Sequence, residues 1–500
     1  MTQITFVKLD AKKTVDLLIV PLCQGELLPC ICKEIDQALN GGLTLNQERE
    51  KFCGEAQQVL VVTTNGFYPI PHIVLVGLGH REQLTSLILQ EIGGVIETIA
   101  REKCVNMLGI DITCVVEERG ATCLLFGVLL KHWIFDKYCS KKAEKKLSAI
   151  QVYCRDPQTQ EEAFQDCYSI YKGVVKAREL TAEPANMLFP QAFAERCLEL
   201  QSLGLQVEVL SEKRLEEIGM HALIAVGKGS INPPRLVVIK WQGADASIAP
   251  VAIVGKGVCY DSGGINIKTE HLVEMKWDKA AAGTVVGTLE VLARIKAPIN
   301  VVGIVGLVEN MPDGAAMKPG DIISTYAGKS IEVIDTDNEG RLVLADCIWY
   351  AQEQFSPSIV IDLGTLTMET FGALAGEYAG LFCEDLMLSK ELIAAGNISG
   401  EKLWSLPMGK AFAKQLRSTM ADMKNMGVLG YGECGACAEF LKCFVKPGVR
   451  WAHLDISGVA WSSEDQPLSR AGVNGFGVRL LVEWMRQNLG INCTDLHRIV

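Results

Sequence analysis

The residues of this 500-residue chain best suited to chemistry crowd between positions 256 and 341. The stretch Asp335-Thr336-Asp337-Asn338-Glu339-Gly340-Arg341-Leu342 sets three carboxylates at alternate positions, then a glycine, an arginine and an apolar run that reads as a helix. Carboxylates where a strand passes into a helix suit a divalent cation, and an arginine in a first helical turn suits an anion. A plainer reading is an Asx turn with an N-cap. Upstream stand Lys256, Asp261-Ser262-Gly263-Gly264, Lys268 and Asp278, and downstream Gly364-Thr365-Leu366-Thr367. Singly these also read as a surface charge, a turn and a cap. What favours a shared site is their concentration between 256 and 341, with glycines that allow close backbone approach. Without cations a cluster of such carboxylates repels itself and raises its own pKa values.

Positioning these groups requires strands that end near them. Residues 15–22, 59–64, 73–77, 105–114 and 150–154 read as strands, and 82–101 and 121–131 as helices. Asn65-Gly66 is a turn signal between two strands. The run 161–180 is one long helix of mixed polarity, ended by Glu183-Pro184. Beyond it, 205–210, 235–241, 251–255, 300–307, 330–334, 358–362 and 451–456 read as strands. Helical patterns cover 280–295, 342–353, 389–395, 434–444 and 476–488. This alternation predicts an α/β fold in two domains. A smaller N-terminal α/β domain is expected over 1–158, a linker helix over 159–182, and a larger α/β catalytic domain with a mixed central sheet over 183–500. Ligands of open α/β sheets bind beyond the carboxyl ends of the strands, where the candidate residues cluster.

Composition narrows the partners. A net charge of -11 disfavours nucleic acid or an anionic membrane as the main partner. The N-terminal residues lack the apolar core of a signal peptide, and the apolar runs are too short to span a bilayer. The expected location is the cytoplasm, where the 18 cysteines stay reduced. Cys434-Gly435-Ala436-Cys437 has a CxxC spacing but falls in a predicted helix without a second pair, and it reads as structural.

Val254-Gly255-Lys256-Gly257, Asp261-Ser262-Gly263-Gly264, Met275-Lys276-Trp277-Asp278, Glu309-Asn310-Met311-Pro312 and Thr336-Asp337-Asn338-Glu339-Gly340-Arg341-Leu342 together resemble the signature blocks of the leucyl aminopeptidase (cytosol aminopeptidase) family. Glu183-Pro184-Ala185-Asn186, Ala421-Asp422-Met423-Lys424-Asn425 and Trp451-Ala452-His453-Leu454-Asp455-Ile456 extend the likeness from about 175 to the end of the chain. The resemblance implies a metal-dependent aminopeptidase acting on peptides with a free N-terminus. It implies two divalent ions, Mn²⁺ or Zn²⁺, with Asp261 and Glu339 touching both, Lys256 and Asp278 completing one site and Asp337 the other. Lys268 and Arg341 become catalytic cations, with bicarbonate at Arg341 as general base. Met275, Thr365 and Leu366 become substrate-binding residues, and the assembly a homohexamer. A lysine ligand is a demanding test, because an ordinary lysine has a pKa of about 10.4 and must lose its proton to bind metal. A nearby dication and a dry site favour that loss, and arginine could not replace it.

The chain departs from the family pattern in places. Asp335 stands where asparagine is usual and Asn338 where alanine is. Thr269 replaces a proline, in a loop to Asp278 that is one residue short. Lys279 replaces an apolar residue, and Met368 a glycine. Met368 bears on the side-chain preference. These changes also admit an alternative: a catalytically weak or silent homologue, acting as a DNA-binding or structural hexamer.

Overall fold

The structure is a computed structural model that describes residues 2–8, 15–113, 118–140 and 147–491. The expected ends at Cys114 and beyond residue 491 lie outside them. The chain forms two compact units. Among the described residues, one holds those up to Tyr171 together with Asp465–Arg470; the other holds Lys172–Glu464 and residues 471–491.

The first unit contains strands β1 (Gln3–Lys8), β2 (Leu17–Cys23), β3 (Val59–Thr63), β4 (His72–Gly79), β5 (Met107–Asp111) and β6 (Ala149–Cys154). They pair in the order β1-β6-β5-β2-β4-β3, parallel throughout except for antiparallel β3. Strand β2, Leu-Leu-Ile-Val-Pro-Leu-Cys, is buried at every position, as a central parallel strand covered on both faces must be. Helices α1 (Ser86–Glu102) and α2 (Glu118–His132) belong to this unit, and the Thr85 hydroxyl caps α1 by accepting from the Ile88 N–H at 3.2 Å. Two things escaped the sequence. Strand β1 is a half-exposed edge whose run shows no decisive period, and Cys30–Ala38 and Gly42–Arg49 form short helices.

The long helix α3 (Pro157–Ala182) starts before and ends close to the predicted run, and the two units divide inside it, between Tyr171 and Lys172. The second unit carries an eight-stranded mixed sheet, as expected. Its strands are β7 (Gln206–Ser211), β8 (Arg235–Gln242), β9 (Val251–Asp261) and β10 (Asn300–Asn310). A small separate sheet follows, with β11 (Ile322–Ser324) and β12 (Ser330–Glu332). The main sheet resumes with β13 (Ile359–Gly364), β14 (Ala379–Phe382) and β15 (Leu403–Ser405). Strand β16 (Met423–Lys424) joins the small sheet, and β17 (Arg450–Asp455) the large one. The order is β15-β14-β17-β13-β9-β10-β8-β7, with β10, β9, β13 and β17 parallel to one another.

Helices α4 (His221–Gly227), α5 (Ala280–Arg294), α6 (Gly340–Phe355), α7 (Met368–Leu374) and α8 (Glu433–Lys442) pack in this unit. Helix α5 is buried on nearly every face, so it reads as apolar almost all round. Two expectations need adjustment. Strand β9 continues to Asp261, six residues past its predicted end, so Lys256 lies within a central strand rather than after it. The run 330–334 supplies only the three-residue β12 of the small sheet. Among the described residues no helix is long and apolar enough to cross a membrane.

Candidate metal centre

The tip of β9 and the start of α6 bring the acidic residues together. Asp261 closes β9 and pairs in register with Asn310 of β10. Its Oδ1 accepts from the Asn310 side-chain amide at 2.8 Å and from the Gly263 N–H at 2.9 Å. Gly263 holds φ near +88°, and a Cβ there would stand 2.3 Å from the Asn266 carbonyl and 2.9 Å from Asp337 Oδ1. Only glycine lets this loop turn so close to the site. The loop is tied to the acidic stretch by Thr336, whose hydroxyl donates to the Gly263 carbonyl at 2.6 Å. Asn425 fixes the other side of that stretch. Its side-chain oxygen accepts from the Ile334 N–H at 2.8 Å, and its amide donates to the Asp335 carbonyl at 2.7 Å.

The plainer readings of the acidic residues fail on geometry. Lys279, not Asp278, holds the cap position of α5, and Glu339 occupies the cap position of α6 without a side-chain capping bond. Both carboxylates turn inward. Asp278 Oδ1 accepts from Lys256 Nζ at 2.9 Å and from the Thr365 hydroxyl at 2.5 Å. Lys256 Nζ also lies 2.8 Å from Glu339 Oε1 and donates to the Thr365 carbonyl at 2.8 Å. Lys268 Nζ lies 2.9 Å from Asp261 Oδ2 and 2.5 Å from Asp337 Oδ1. Asp335 takes the role of a turn former instead, with its Oδ1 accepting from the Asp337 N–H at 2.9 Å.

Electrostatics follow from this crowding. Burial and the Asp261 and Glu339 charges push Asp337 up to about 7. Burial, with Glu339 and Asp261 nearby and Lys256 opposing, pushes Asp278 up to about 8. Glu339 is raised by burial and by Asp261. Burial works against the Lys256 ammonium, yet Asp278, Glu339 and Asp261 outweigh it and hold its pKa above the ordinary lysine value. The two ammonium groups occupy the middle of four carboxylates and leave an excess of negative charge.

That balance is incomplete. Asp278 Oδ2, Asp337 Oδ1 and Glu339 Oε1 are buried, and two lysine ammonium groups at 2.5 to 2.8 Å face them, fewer cations than carboxylates. Buried carboxylates need compensating positive charge, and a multivalent cation supplies it to several oxygens at once. Oxygens of Asp261, Asp337 and Glu339 lie within 4.8 Å of one another, close enough to share an ion. The donor set therefore fits divalent metal.

The remaining predicted residues surround the cluster unevenly. Thr365 touches Asp278 and Lys256 directly, while the Leu366 N–H is held by Asp455 Oδ1 at 3.3 Å. Met275 is half-buried in the short turn of helix Glu274–Trp277, and Met368 is 66% exposed at the start of α7. Arg341 is 1% exposed in the first turn of α6. Sequence reasoning gave no role to Thr336, Asn310, Asn425 or Glu433, which hold the loops and Arg341 in place. The first three sit inside the quoted motif blocks. Glu433 had no signal at all. The CxxC pair lies on α8 as free thiols, and burial pushes Cys434 up to about 11 and Cys437 to about 12, the opposite of a reactive pair.

Comparison with known proteins adds an independent line. Residues 175–482 match the family model of the cytosol aminopeptidase family, catalytic domain, and residues 19–142 match that of its N-terminal domain. A "Probable cytosol aminopeptidase" of Caulobacter vibrioides is 40% identical over 491 residues, 96% of this chain and 98% of that protein. One from Sinorhizobium fredii is 42% identical over 450 residues, 88% of this chain and 89% of that protein. Among solved structures, a tomato leucine aminopeptidase mutant superimposes with a TM-score of 0.85 at 29% identity, covering 98% of this chain and 97% of that one. The bottromycin maturation enzyme BotP in complex with Mn gives 0.83 at 30% identity, covering 94% and 99%.

Proposed function

This chain belongs to the cytosol aminopeptidase family, and from that premise we propose that it is a two-metal aminopeptidase that removes the N-terminal residue of peptides. The observation that carries the reading is the gathering of the carboxylates of Asp261, Asp278, Asp337 and Glu339 around Lys256 and Lys268, with oxygens of Asp261, Asp337 and Glu339 within 4.8 Å of one another. In this reading Lys256, Asp261, Asp278, Asp337 and Glu339 would hold the two ions. Manganese is the first ion to test, because the solved relative BotP is described in complex with Mn; zinc is the second. Bound there, the ions supply Lewis acidity toward the peptide and lower the pKa of water.

The chain's own residues do the rest. Lys256 would join Asp278 at one ion as a neutral amine, its proton passed to solvent, and would then no longer neutralise Asp278 and Glu339. Lys268, 18% exposed at its side chain, turns its ammonium to the scissile carbonyl oxygen and stabilises the negative charge that grows there. Arg341 supplies a fixed positive charge behind Glu339. The Leu366 carbonyl accepts from the peptide backbone, steadied by the Asp455 bond to its N–H. Met275 and Thr365 line the pocket for the first side chain, and Met368 narrows it, so the preference shifts away from leucine. The division into an N-terminal domain over 1–158, a linker helix over 159–182 and a catalytic domain over 183–500 belongs to this proposal. So do a cytoplasmic location, which the relatives' names support, and a homohexamer, which rests on family resemblance alone.

Hydrolysis of leucyl-p-nitroanilide and a panel of other aminoacyl anilides with added Mn²⁺ tests the reading. Lys268→Ala should lower kcat on the order of 100- to 1,000-fold, and Asp337→Ala should lose both metal and activity. A wild-type protein that holds metal yet cleaves none of the panel sinks the enzyme reading.

A further inference from the structure

Arg341 is a full charge with 1% of its surface exposed, and such a charge needs a counter-anion at hand. The chain already supplies one. Arg341 Nη1 donates to Glu433 Oε1 at 2.5 Å and to the Asn425 carbonyl at 2.7 Å. Glu433 is itself 6% exposed, and its Oε2 accepts from the Gly427 N–H at 2.8 Å. It opens α8, so the positive end of that helix favours its charge. The pair also abuts the metal centre. Arg341 follows Glu339 by two residues, and a Cβ on the intervening Gly340 would stand 2.7 Å from Lys256 Nζ.

We propose that Glu433 is the resident anion of Arg341, a positioning residue that holds this guanidinium neutralised and oriented beside the metal centre, so that no small oxyanion from solution is needed there. The bicarbonate expected from sequence is thereby replaced by a carboxylate on the chain itself. Bicarbonate and formate carry the same pair of oxygens on one carbon as the Glu433 side chain. Removing that side chain opens a space lined by Arg341 Nη1 and the Gly427 N–H, which suits those ions. The proposal rests on the aminopeptidase reading for its kinetic consequence but not for its binding consequence.

The test compares wild type, Glu433→Ala and Glu433→Gln, all Mn²⁺-loaded, in buffer stripped of carbon dioxide and then with added bicarbonate or formate. Both Tm and leucyl-p-nitroanilide kinetics are read. Wild type should change in neither. Glu433→Ala should lose about tenfold or more in kcat with KM little moved. Added formate or bicarbonate should restore most of that loss and raise Tm by several degrees. Glu433→Gln fills the space without the charge, so it should be impaired and stay unrescued. A several-fold activation of wild type by bicarbonate overturns the proposal, as does a Glu433→Gln enzyme with full activity in stripped buffer. If no form hydrolyses any peptide, the aminopeptidase reading falls, and the Tm response of Glu433→Ala against wild type still decides the anion claim.

Discussion

Lys256 shows how one side chain is constrained by its neighbours. It lies mid-strand in β9, 3% exposed, with its tip among Asp278, Glu339 and the Thr365 carbonyl. Its placement depends on Gly340, because a Cβ there would come within 2.6 Å of Lys256 Cε and 2.7 Å of a Leu366 methyl. Gly340→Ala should therefore displace the lysine tip and the Leu366 segment together. We expect a stability loss of ~1–3 kcal/mol from overpacking, with a larger proportional loss of metal affinity. Urea unfolding and metal titration by calorimetry separate the two; unaltered metal affinity in a folded variant refutes the constraint. The residues at 256, 261, 268, 278, 337, 339 and 341 were legible because the motif blocks that hold them resemble a known family, since singly each has an ordinary reading. Glu433 was not, since a glutamate opening a helix is ordinary until its partner is seen.

Helix α6 does more at the element scale than present Arg341. Asp346, fully buried on it, accepts from the Leu223 N–H at 3.0 Å and the Tyr326 N–H at 2.8 Å. It thus fastens the first turns of α4 and the loop after β11 to α6. Burial outweighs these donors and pushes its carboxyl from an ordinary 3.8 up to about 7. A carboxyl raised on folding contributes fully below about pH 3.8, and the contribution is lost as pH rises through about 7. Asp346→Asn removes that titration. Its unfolding free energy should fall by a few kcal/mol less than that of wild type between pH 4 and pH 8. Parallel curves for the two proteins in urea across that range contradict the buried ionisation. The element itself was readable from its apolar run. The fastening was not, because positions 223, 326 and 346 come together only in the folded unit.

At the scale of the whole molecule, the chain leaves its first unit at Tyr171 and returns to it as Asp465–Arg470. The returning segment is held by buried charges. Lys131 of α2 donates to the Gln466 carbonyl at 2.6 Å, to the Ser469 carbonyl at 2.9 Å and to Asp465 Oδ2 at 3.2 Å. Glu97 of α1, 1% exposed, receives Arg470 Nη2 at 2.9 Å and lies 3.2 Å from His132 Nδ1. Lys131→Met removes the donor at little change in length and takes a charged bond from each of two carbonyls, which keep the backbone bonds between Gln466 and Ser469. We expect a loss of roughly 1–3 kcal/mol and new protease cleavage within 463–471. Cleavage elsewhere first, with 463–471 intact, contradicts the role given to Lys131. Nothing in the sequence around 465 announced this return, since six residues, four of them polar and one a proline, read as an ordinary loop between two longer runs.

The sequence by itself determined the α/β class, the mixed sheet of the larger unit, most strand and helix positions and the identity of the residues gathered at the acidic centre. These follow from local period and from residue types whose chemistry admits few alternatives. The tertiary structure decided what long-range packing sets. It extended β9 to Asp261, because β10 runs beside that strand as far as Asn310, whereas β13 pairs with it only up to Gly255. It turned Asp278 and Glu339 away from helix caps into a shared interior. It made Asp335 a turn former instead of a fifth acidic neighbour. It gave Arg341 a carboxylate 92 residues away. Asp335 apart, whose partner is the Asp337 N–H, the deciding partner is distant in sequence, and only burial beside that partner distinguishes one use of a carboxylate from another.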